Sequence, residues 1–121
     1  MLRKVGAAIA LSFSVVGTVS AQAPAPVATV QYSCAQGKSL IAEYFDGPTR
    51  TAPDGRPIPG GRVVLTLADG KKLTLPQTLS GSGIRYANEG ESFVFWNKGD
   101  TAFVEEGPNQ TVTYENCVGK K

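Results

Sequence analysis

Two short polar segments carry the residues best suited to chemistry, and the first is a serine-glycine loop. It has the sequence Ser-Gly-Ser-Gly over residues 80–83 and leads into Ile-Arg-Tyr at residues 84–86. Glycines allow a backbone to approach another molecule closely, and the hydroxyl of Ser82 can donate or accept a hydrogen bond. The segment is therefore suited to contacting a partner. Residue chemistry alone also allows a simple turn between two strands.

The second segment is an aromatic hairpin with the sequence Phe-Trp-Asn-Lys-Gly-Asp at residues 95–100. It holds Lys98 at the tip of a rigid aromatic stem, and only Asp100 is close enough in sequence to neutralise the charge. A lysine held out in this way is suited to entering an acidic cleft. The alternative is an ordinary solvated lysine in a turn.

The composition argues against catalysis. The chain contains no histidine, which removes the usual general base, the Ser-His-Asp triad and the commonest metal ligand. Two cysteines far apart in sequence do not make a zinc site. Hydrolysis by paired carboxylates needs a deep substrate cleft, which a domain of this size seldom provides. We expect a binding protein without a metal or cofactor, and not an enzyme.

The elements that must position these segments are short strands. Patterns of period two, bounded by turn residues, predict eight of them, at residues 29–34, 39–45, 62–68, 72–75, 84–87, 92–96, 101–105 and 110–117. Pro76 is expected to end a strand or to mark an edge, and the Pro/Gly-rich segment 47–61 is expected to be a long loop. Many short strands joined by hairpins favour an all-β barrel or sandwich.

The start of the chain has the features of an export signal. Arg3 and Lys4 precede an apolar run over residues 5–19, and small residues follow. We expect a signal peptide over residues 1–23, cleaved after Ala21 or Ala23; the alternative is an uncleaved membrane anchor. No cysteine at the cleavage site offers a lipid anchor, so a soluble product outside the cytoplasm, without a stable membrane anchor, is expected. A linker (24–28), one domain (29–118) and a tail (119–121) would follow.

The two cysteines and the charge complete this interpretation. Cys34 and Cys117 are the only cysteines, and in an oxidising compartment such a pair usually forms a disulfide. The bridge would close a loop of about 84 residues and contribute roughly 4–5 kcal/mol at most; two free buried thiols are the alternative. Without Arg3 and Lys4 the net charge is zero, which argues against a nucleic-acid partner.

Taken together, the two polar segments resemble the motifs of a known family. Ser-Gly-Ile-Arg-Tyr at 82–86 resembles the SGxxY motif of the inhibitors of c-type lysozyme, the MliC/PliC family, and residues 95–102 resemble its FWxKGxxA motif. The paired cysteines resemble those of the family, and the similarity extends from about residue 30 to residue 117. Phe103 and Val104 stand where the family often has leucine, which is a conservative change.

The resemblance implies a fold and a function. It implies an eight-stranded antiparallel barrel that plugs the active-site cleft of a c-type lysozyme, with Ser82 and Lys98 reaching its two catalytic carboxylates, and a role in evading host defence. Tyr86 and Trp96 are expected mainly to support the loops. The residues expected to take part in lysozyme binding are Ser82, Gly83, Tyr86, Trp96, Lys98 and Gly99.

Two other classes of function remain open from the residues. A small-ligand-binding periplasmic β-barrel, similar to a lipocalin, would need an interior cavity, whereas large side chains are expected to fill a barrel of this size. An envelope scaffold or adhesin would need no enzyme target. A homodimer is also possible, with exposed strand edges or Val94 as candidate contacts.

Overall fold

Eight antiparallel strands close into a single barrel, as the family resemblance implied; the strand pattern alone also allowed a sandwich. The computed structural model describes residues 24–120. Around the barrel the strand order is β1-β10-β9-β8-β7-β6-β5-β2, and β2 pairs with β1 to complete the closure. The barrel strands are β1 (Ala28–Ser33), β2 (Ser39–Phe45), β5 (Arg62–Thr66), β6 (Lys72–Thr78), β7 (Ile84–Ala87), β8 (Phe93–Lys98), β9 (Thr101–Glu106) and β10 (Thr111–Lys120). A single 3-10 turn, Ala35–Gly37, lies between β1 and β2.

A small hairpin that the sequence analysis treated as loop lies within the Pro/Gly-rich segment. Strands β3 (Arg50–Thr51) and β4 (Pro57–Ile58) pair with each other and not with the barrel. At its base the two backbone arms touch, since a Cβ placed on Gly60 would lie 1.6 Å from the carbonyl oxygen of Pro48. Only glycine fits so close a contact. The hairpin also contacts the barrel, where Arg50 donates to the Gln77 carbonyl at 2.5 Å.

Several predicted boundaries need correction; for example, β5 ends at Thr66 and β8 runs from Phe93 to Lys98. Strand β1 begins at Ala28, which was assigned to the linker, and β10 runs to Lys120, which was assigned to the tail. Strand β6 continues through Pro76 to Thr78. Proline is tolerated there because β6 pairs with β7 only at Gln77 and Thr78, so no amide hydrogen is required from Pro76 on that side.

The barrel interior is filled by large side chains. The largest fully buried residues are Tyr32, Phe95, Leu40, Leu65 and Leu75. They come from alternate positions of their strands, because successive side chains of a strand point to opposite faces. The core is therefore packed through its centre, as expected for a small barrel.

The predicted disulfide is present and lies beside the junction of the first and last strands. Cys34 and Cys117 are bonded, and no cysteine among the described residues is free. Cys34 directly follows β1, and Cys117 lies within β10, which pairs with β1. The bond therefore links the two ends of the domain where the sheet meets itself.

Because neighbouring strands run in opposite directions, the serine-glycine loop and the lysine hairpin lie at the same end of the barrel, which we call the loop end. The connections 46–61, 79–83 and 99–100 all lie there, together with the start of β1 and the end of β10. No helix among residues 24–120 is long and apolar enough to cross a membrane.

Candidate functional site

The serine-glycine loop and the lysine hairpin are in contact at the loop end. A Cβ placed on Gly83 would lie 2.5 Å from the carbonyl oxygen of Asn97 and 2.9 Å from Cγ of Lys98. Gly83 also has a φ of +67°, which residues with a side chain rarely adopt. Glycine at this position therefore allows the loop carrying Ser82 to lie against the stem of Lys98.

Trp96 fastens the serine loop to strand β8. Its Nε1 donates a hydrogen bond of 2.7 Å to the carbonyl oxygen of Ser82, and the Ser80 hydroxyl donates to the same oxygen. On the other side the indole stacks on Phe103, with ring centroids 5.8 Å apart and planes 20° from parallel. The carbonyl oxygen of Ser82 thus accepts hydrogen bonds from both Trp96 and Ser80, and the stacking on Phe103 holds the Trp96 ring in place.

The Ser82 hydroxyl itself is left for other contacts. Ser82 is exposed, and its side chain makes no hydrogen bond to any residue in the range 24–120 that the structure describes. An exposed hydroxyl on a fixed backbone can donate to or accept from a bound molecule without rearrangement of the loop.

Lys98 projects from the hairpin tip with its charge unpaired. It is exposed, and within the described part of the chain no carboxylate lies within 4.0 Å of its ammonium group. Its Nζ lies 5.2 Å from the centroid of the Trp96 ring and 5.9 Å from that of Phe103, distances at which a cation is attracted to an aromatic face. The aromatic pair therefore guides the lysine side chain without neutralising it.

Arg85, to which no role was assigned from the sequence, helps to support Trp96 and the serine-glycine loop. Its Nη2 pairs with the carboxylate of Glu91, its Nη1 donates to the Thr78 hydroxyl at 3.0 Å, and its guanidinium lies 5.5 Å from the centroid of the Trp96 ring. The side chain is only 13% exposed. Arg85 thus packs on Trp96 and links β7 to β6.

Beneath the loops, a partly buried polar cluster of Asn97, Tyr32 and Tyr44 holds the end of β8 to strands β1 and β2. The side-chain amide of Asn97 donates to the hydroxyl of Tyr32 at 2.6 Å and to that of Tyr44 at 2.9 Å, and the two hydroxyls share a hydrogen bond of 2.6 Å. Because Lys98 directly follows Asn97, this cluster fixes the base from which the lysine projects.

Tyr86 lies beside this cluster and not on the surface. It is 4% exposed, and its ring packs edge-on to Tyr44 with centroids 5.9 Å apart. Burial, with smaller effects of the nearby Tyr32 and Asp46, raises the pKa of Tyr86 to about 12. Its position matches a supporting role, since little of the side chain is accessible to a partner.

Gly99 occupies the first position of the two-residue turn between β8 and β9. Its φ of +65° is of the kind that such hairpin turns require. A Cβ at this position would have open space around it. Gly99 is therefore required only for the conformation of the turn. Gly83 is required both for its backbone conformation and for the close contact with Asn97 and Lys98.

Sequence reasoning assigned no role to Asn97 or Tyr44 and misjudged Val94. Asn97 continues the alternation of the inward-facing Phe93 and Phe95, so its side chain should also point inward. A polar side chain at such a position was the sequence signal that could have identified Asn97. Val94 was named as a candidate dimer contact, but it is 1% exposed, and closure of the barrel removes the free strand edges.

Comparison with known proteins identifies relatives of this arrangement. Residues 58–113 match the family model for membrane-bound lysozyme-inhibitor of c-type lysozyme. This range contains both polar segments but neither cysteine.

Two relatives carry the name membrane-bound lysozyme inhibitor of C-type lysozyme. One, from Yersinia enterocolitica, is 45% identical over 56 residues, which cover 46% of this chain and 44% of that protein. This chain thus matches less than half the length of the Yersinia protein. The other, from Cupriavidus necator, is 31% identical over 97 residues, which cover 78% of this chain and 67% of that protein.

A solved structure shares the fold. The periplasmic lysozyme inhibitor of C-type lysozyme from Salmonella typhimurium, PliC-St, superposes with a TM-score of 0.52 and 17% sequence identity, covering 78% of this chain and 98% of that one. On the sequence match to the Cupriavidus necator protein, together with the family model, the chain belongs to the MliC/PliC family of c-type lysozyme inhibitors.

Proposed function

We propose that this protein inhibits a c-type lysozyme by inserting the Ser82 loop and the Lys98 hairpin into the active-site cleft of the enzyme. The observation that carries the proposal is the pairing of a free hydroxyl and an unpaired ammonium on two contacting segments of one barrel end. Family membership supports the inhibitory function. The protein would act by binding and not by catalysis.

The chemistry of the target explains why these two groups are suited to it. Lysozyme works with one carboxylic acid kept protonated in an apolar pocket and a second, ionised carboxylate nearby. An ammonium brought into that cleft stabilises the ionised form of a carboxyl group and so lowers its pKa. The general acid would lose its proton, while the serine hydroxyl hydrogen-bonds a carboxylate oxygen.

The rigidity of the site supports tight binding. Trp96 holds the backbone of Ser82, and the partly buried cluster of Asn97, Tyr32 and Tyr44 holds the base of Lys98. Groups that are fixed before association lose less conformational entropy when they bind. Because the two segments would occupy the cleft that binds the cell-wall substrate, inhibition would be competitive with that substrate.

Export to the periplasm fits this target. The segment assigned to a signal peptide, residues 1–23, lies outside the described residues. The names of relatives include both membrane-bound and periplasmic inhibitors. We propose that this protein acts in the periplasm, where it would protect the cell wall from host lysozyme.

The alternative of a small-ligand carrier finds little support. Such a barrel needs a central cavity, but Tyr32, Phe95 and leucines fill the interior. A scaffold or adhesin without an enzyme target would give no reason for an unpaired lysine braced by aromatic rings.

The direct test is a cell-wall lysis assay. The purified domain, residues 24–121 with its disulfide formed, is titrated against a c-type lysozyme, and the inhibition constant is measured at several substrate concentrations. Competitive inhibition is expected. A lysozyme of a different structural class serves as the control and should be unaffected. Full lysis by the c-type enzyme in the presence of a large excess of folded protein would overturn the proposal.

A further inference from the structure

A concave pocket opens at the loop end beside the lysine hairpin, and we call it the mouth pocket. Its volume is about 280 Å³, slightly below the usual range of small-molecule sites. Its lining includes the apolar residues Ala28, Val30 and Ile84 and the polar residues Tyr32, Tyr44, Asn97 and Asp100. A space of this size suits one protein side chain better than a free ligand.

The polar side chains that line the pocket are those of Tyr32, Tyr44, Asn97 and Asp100, and the amide nitrogen of Asn97 donates to the two phenol oxygens. Tyr32 and Tyr44 contribute their hydroxyls, and Asp100 contributes an exposed carboxylate. Among residues 24–120, Asp100 forms no ion pair. Its charge acts on the pocket lining, since it adds to the effect of burial in raising the pKa of the Tyr32 phenol.

Two apolar residues of the lining are accessible. Ile84 is 40% exposed at the first position of β7, and Ala28 is exposed at the first position of β1. A pocket lined by apolar side chains together with two phenol oxygens and a carboxylate matches a side chain with a methylene stem and a cationic head. Lysine and arginine have this shape, because their stems pack on apolar surface while the head seeks polar partners.

We propose that the mouth pocket receives a long cationic side chain of the bound lysozyme, with Asp100 as its charge partner. The inference rests on the proposed function and adds a reciprocal contact to it. Lys98 of the inhibitor would enter the enzyme cleft, and Asp100, two residues further along the same hairpin, would bind a cationic side chain of the enzyme. Opposite charges side by side would fix the orientation of the complex.

Asp100→Asn tests the role of the Asp100 carboxylate, because the two possible roles of that charge predict opposite changes in affinity. If Asp100 only weakened the field of the neighbouring Lys98, its removal would leave binding unchanged or make it tighter. If it holds a cation of the enzyme, the dissociation constant should rise about tenfold. Asp46→Asn is the matched control, because Asp46 lies at the same end of the barrel, carries the same charge and does not line the pocket.

A second pair of variants tests occupancy of the pocket. Ala28→Trp would fill the mouth pocket from an exposed position and should weaken binding at least tenfold. Thr29→Trp places the same ring on the opposite face of β1 and should leave affinity within about twofold of wild type. Thermal unfolding of each variant verifies the fold.

The outcomes separate this inference from the function on which it rests. If wild type binds c-type lysozyme and Asp100→Asn binds equally well or more tightly, the pocket inference is wrong and the inhibitory function stands. If wild type shows no binding, both are wrong. Weakening by Asp100→Asn and Ala28→Trp, but not by their controls, would support the inference.

Discussion

The indole nitrogen of Trp96 donates a 2.7 Å hydrogen bond to the carbonyl oxygen of Ser82, a residue 14 positions earlier in the chain. This bond joins the two segments that carry the exposed hydroxyl and the exposed ammonium. In the proposed complex, Trp96 would act from behind the binding surface, because it sets the position of the Ser82 backbone.

Trp96→Phe should separate the hydrogen bond from the packing of the ring. Phenylalanine retains an aromatic face beside Phe103 and Lys98 but has no donor. The loss of one hydrogen bond, worth about 0.5–1.5 kcal/mol, should weaken lysozyme inhibition by two- to tenfold. Hydrogen exchange at the amide of Ser82, which donates to the Ser80 hydroxyl at 3.2 Å, should become faster. Unchanged inhibition together with unchanged exchange would show that the bond does not position the loop.

Lys98→Ala should produce the largest loss of inhibition. A close charge pair across an interface couples by about 1.5–7 kcal/mol, so the inhibition constant should rise at least about tenfold. The fold should be intact, because Lys98 is exposed and has no ion-pair partner among the described residues. Lys71→Ala is the control, since Lys71 lies in a turn at the opposite end of the barrel. Equal inhibition by both variants would remove the assignment of Lys98.

Ser82→Ala should weaken inhibition less than Lys98→Ala does. If the hydroxyl satisfies a carboxylate buried in the complex, its removal should cost roughly 1–3 kcal/mol. The loop should keep its shape, because Trp96 and Ser80 bind the carbonyl oxygen of Ser82 and not its side chain. Circular dichroism and thermal unfolding check the fold, and a full inhibition titration gives the constant. Wild-type inhibition by Ser82→Ala would mean that the hydroxyl faces solvent in the complex.

The strand pattern was readable from the sequence because each barrel strand has one buried face. Val63 and Leu65 alternate with half-buried residues, and the Asp-Gly pair at 69–70 lies at a turn where Gly70 has a φ of +88°. The β3–β4 hairpin was missed because its strands are two residues each and bury little. Such short pairs leave no periodic signal.

The site was only partly readable for a different reason. Gly83 and Lys98 are 15 positions apart, and no local pattern states that their atoms meet. The packing of Phe103 on Trp96 across paired strands and the double hydrogen bond of Asn97 to Tyr32 and Tyr44 are also long-range facts. These contacts depend on the register of the paired strands, and that register is determined only when the whole barrel has formed.

Alkaline pH should destabilise the barrel through its buried tyrosines. Burial raises the pKa of Tyr86 to about 12 and also raises that of Tyr44. Above pH 10 the unfolded chain releases these phenol protons while the folded chain retains them, so the free energy of unfolding falls as the pH rises toward 12. Urea unfolding across this range measures the slope, and Tyr86→Phe should make it shallower. The same slope in both proteins would contradict this assignment.

Gly83→Ala and Gly99→Ala form a matched pair that separates backbone strain from contact. Both glycines have a positive φ, +67° and +65°, so alanine should cost about 1–2 kcal/mol of stability at either position. Only at Gly83 would the new Cβ overlap other atoms, 2.5 Å from the Asn97 oxygen and 2.9 Å from Cγ of Lys98. Gly83→Ala should therefore be the less stable variant by urea unfolding. It should also inhibit lysozyme more weakly, because the overlap pushes the Ser82 loop away from Lys98. Equal stability and equal inhibition for the two variants would show that the close approach at Gly83 is not required for the site.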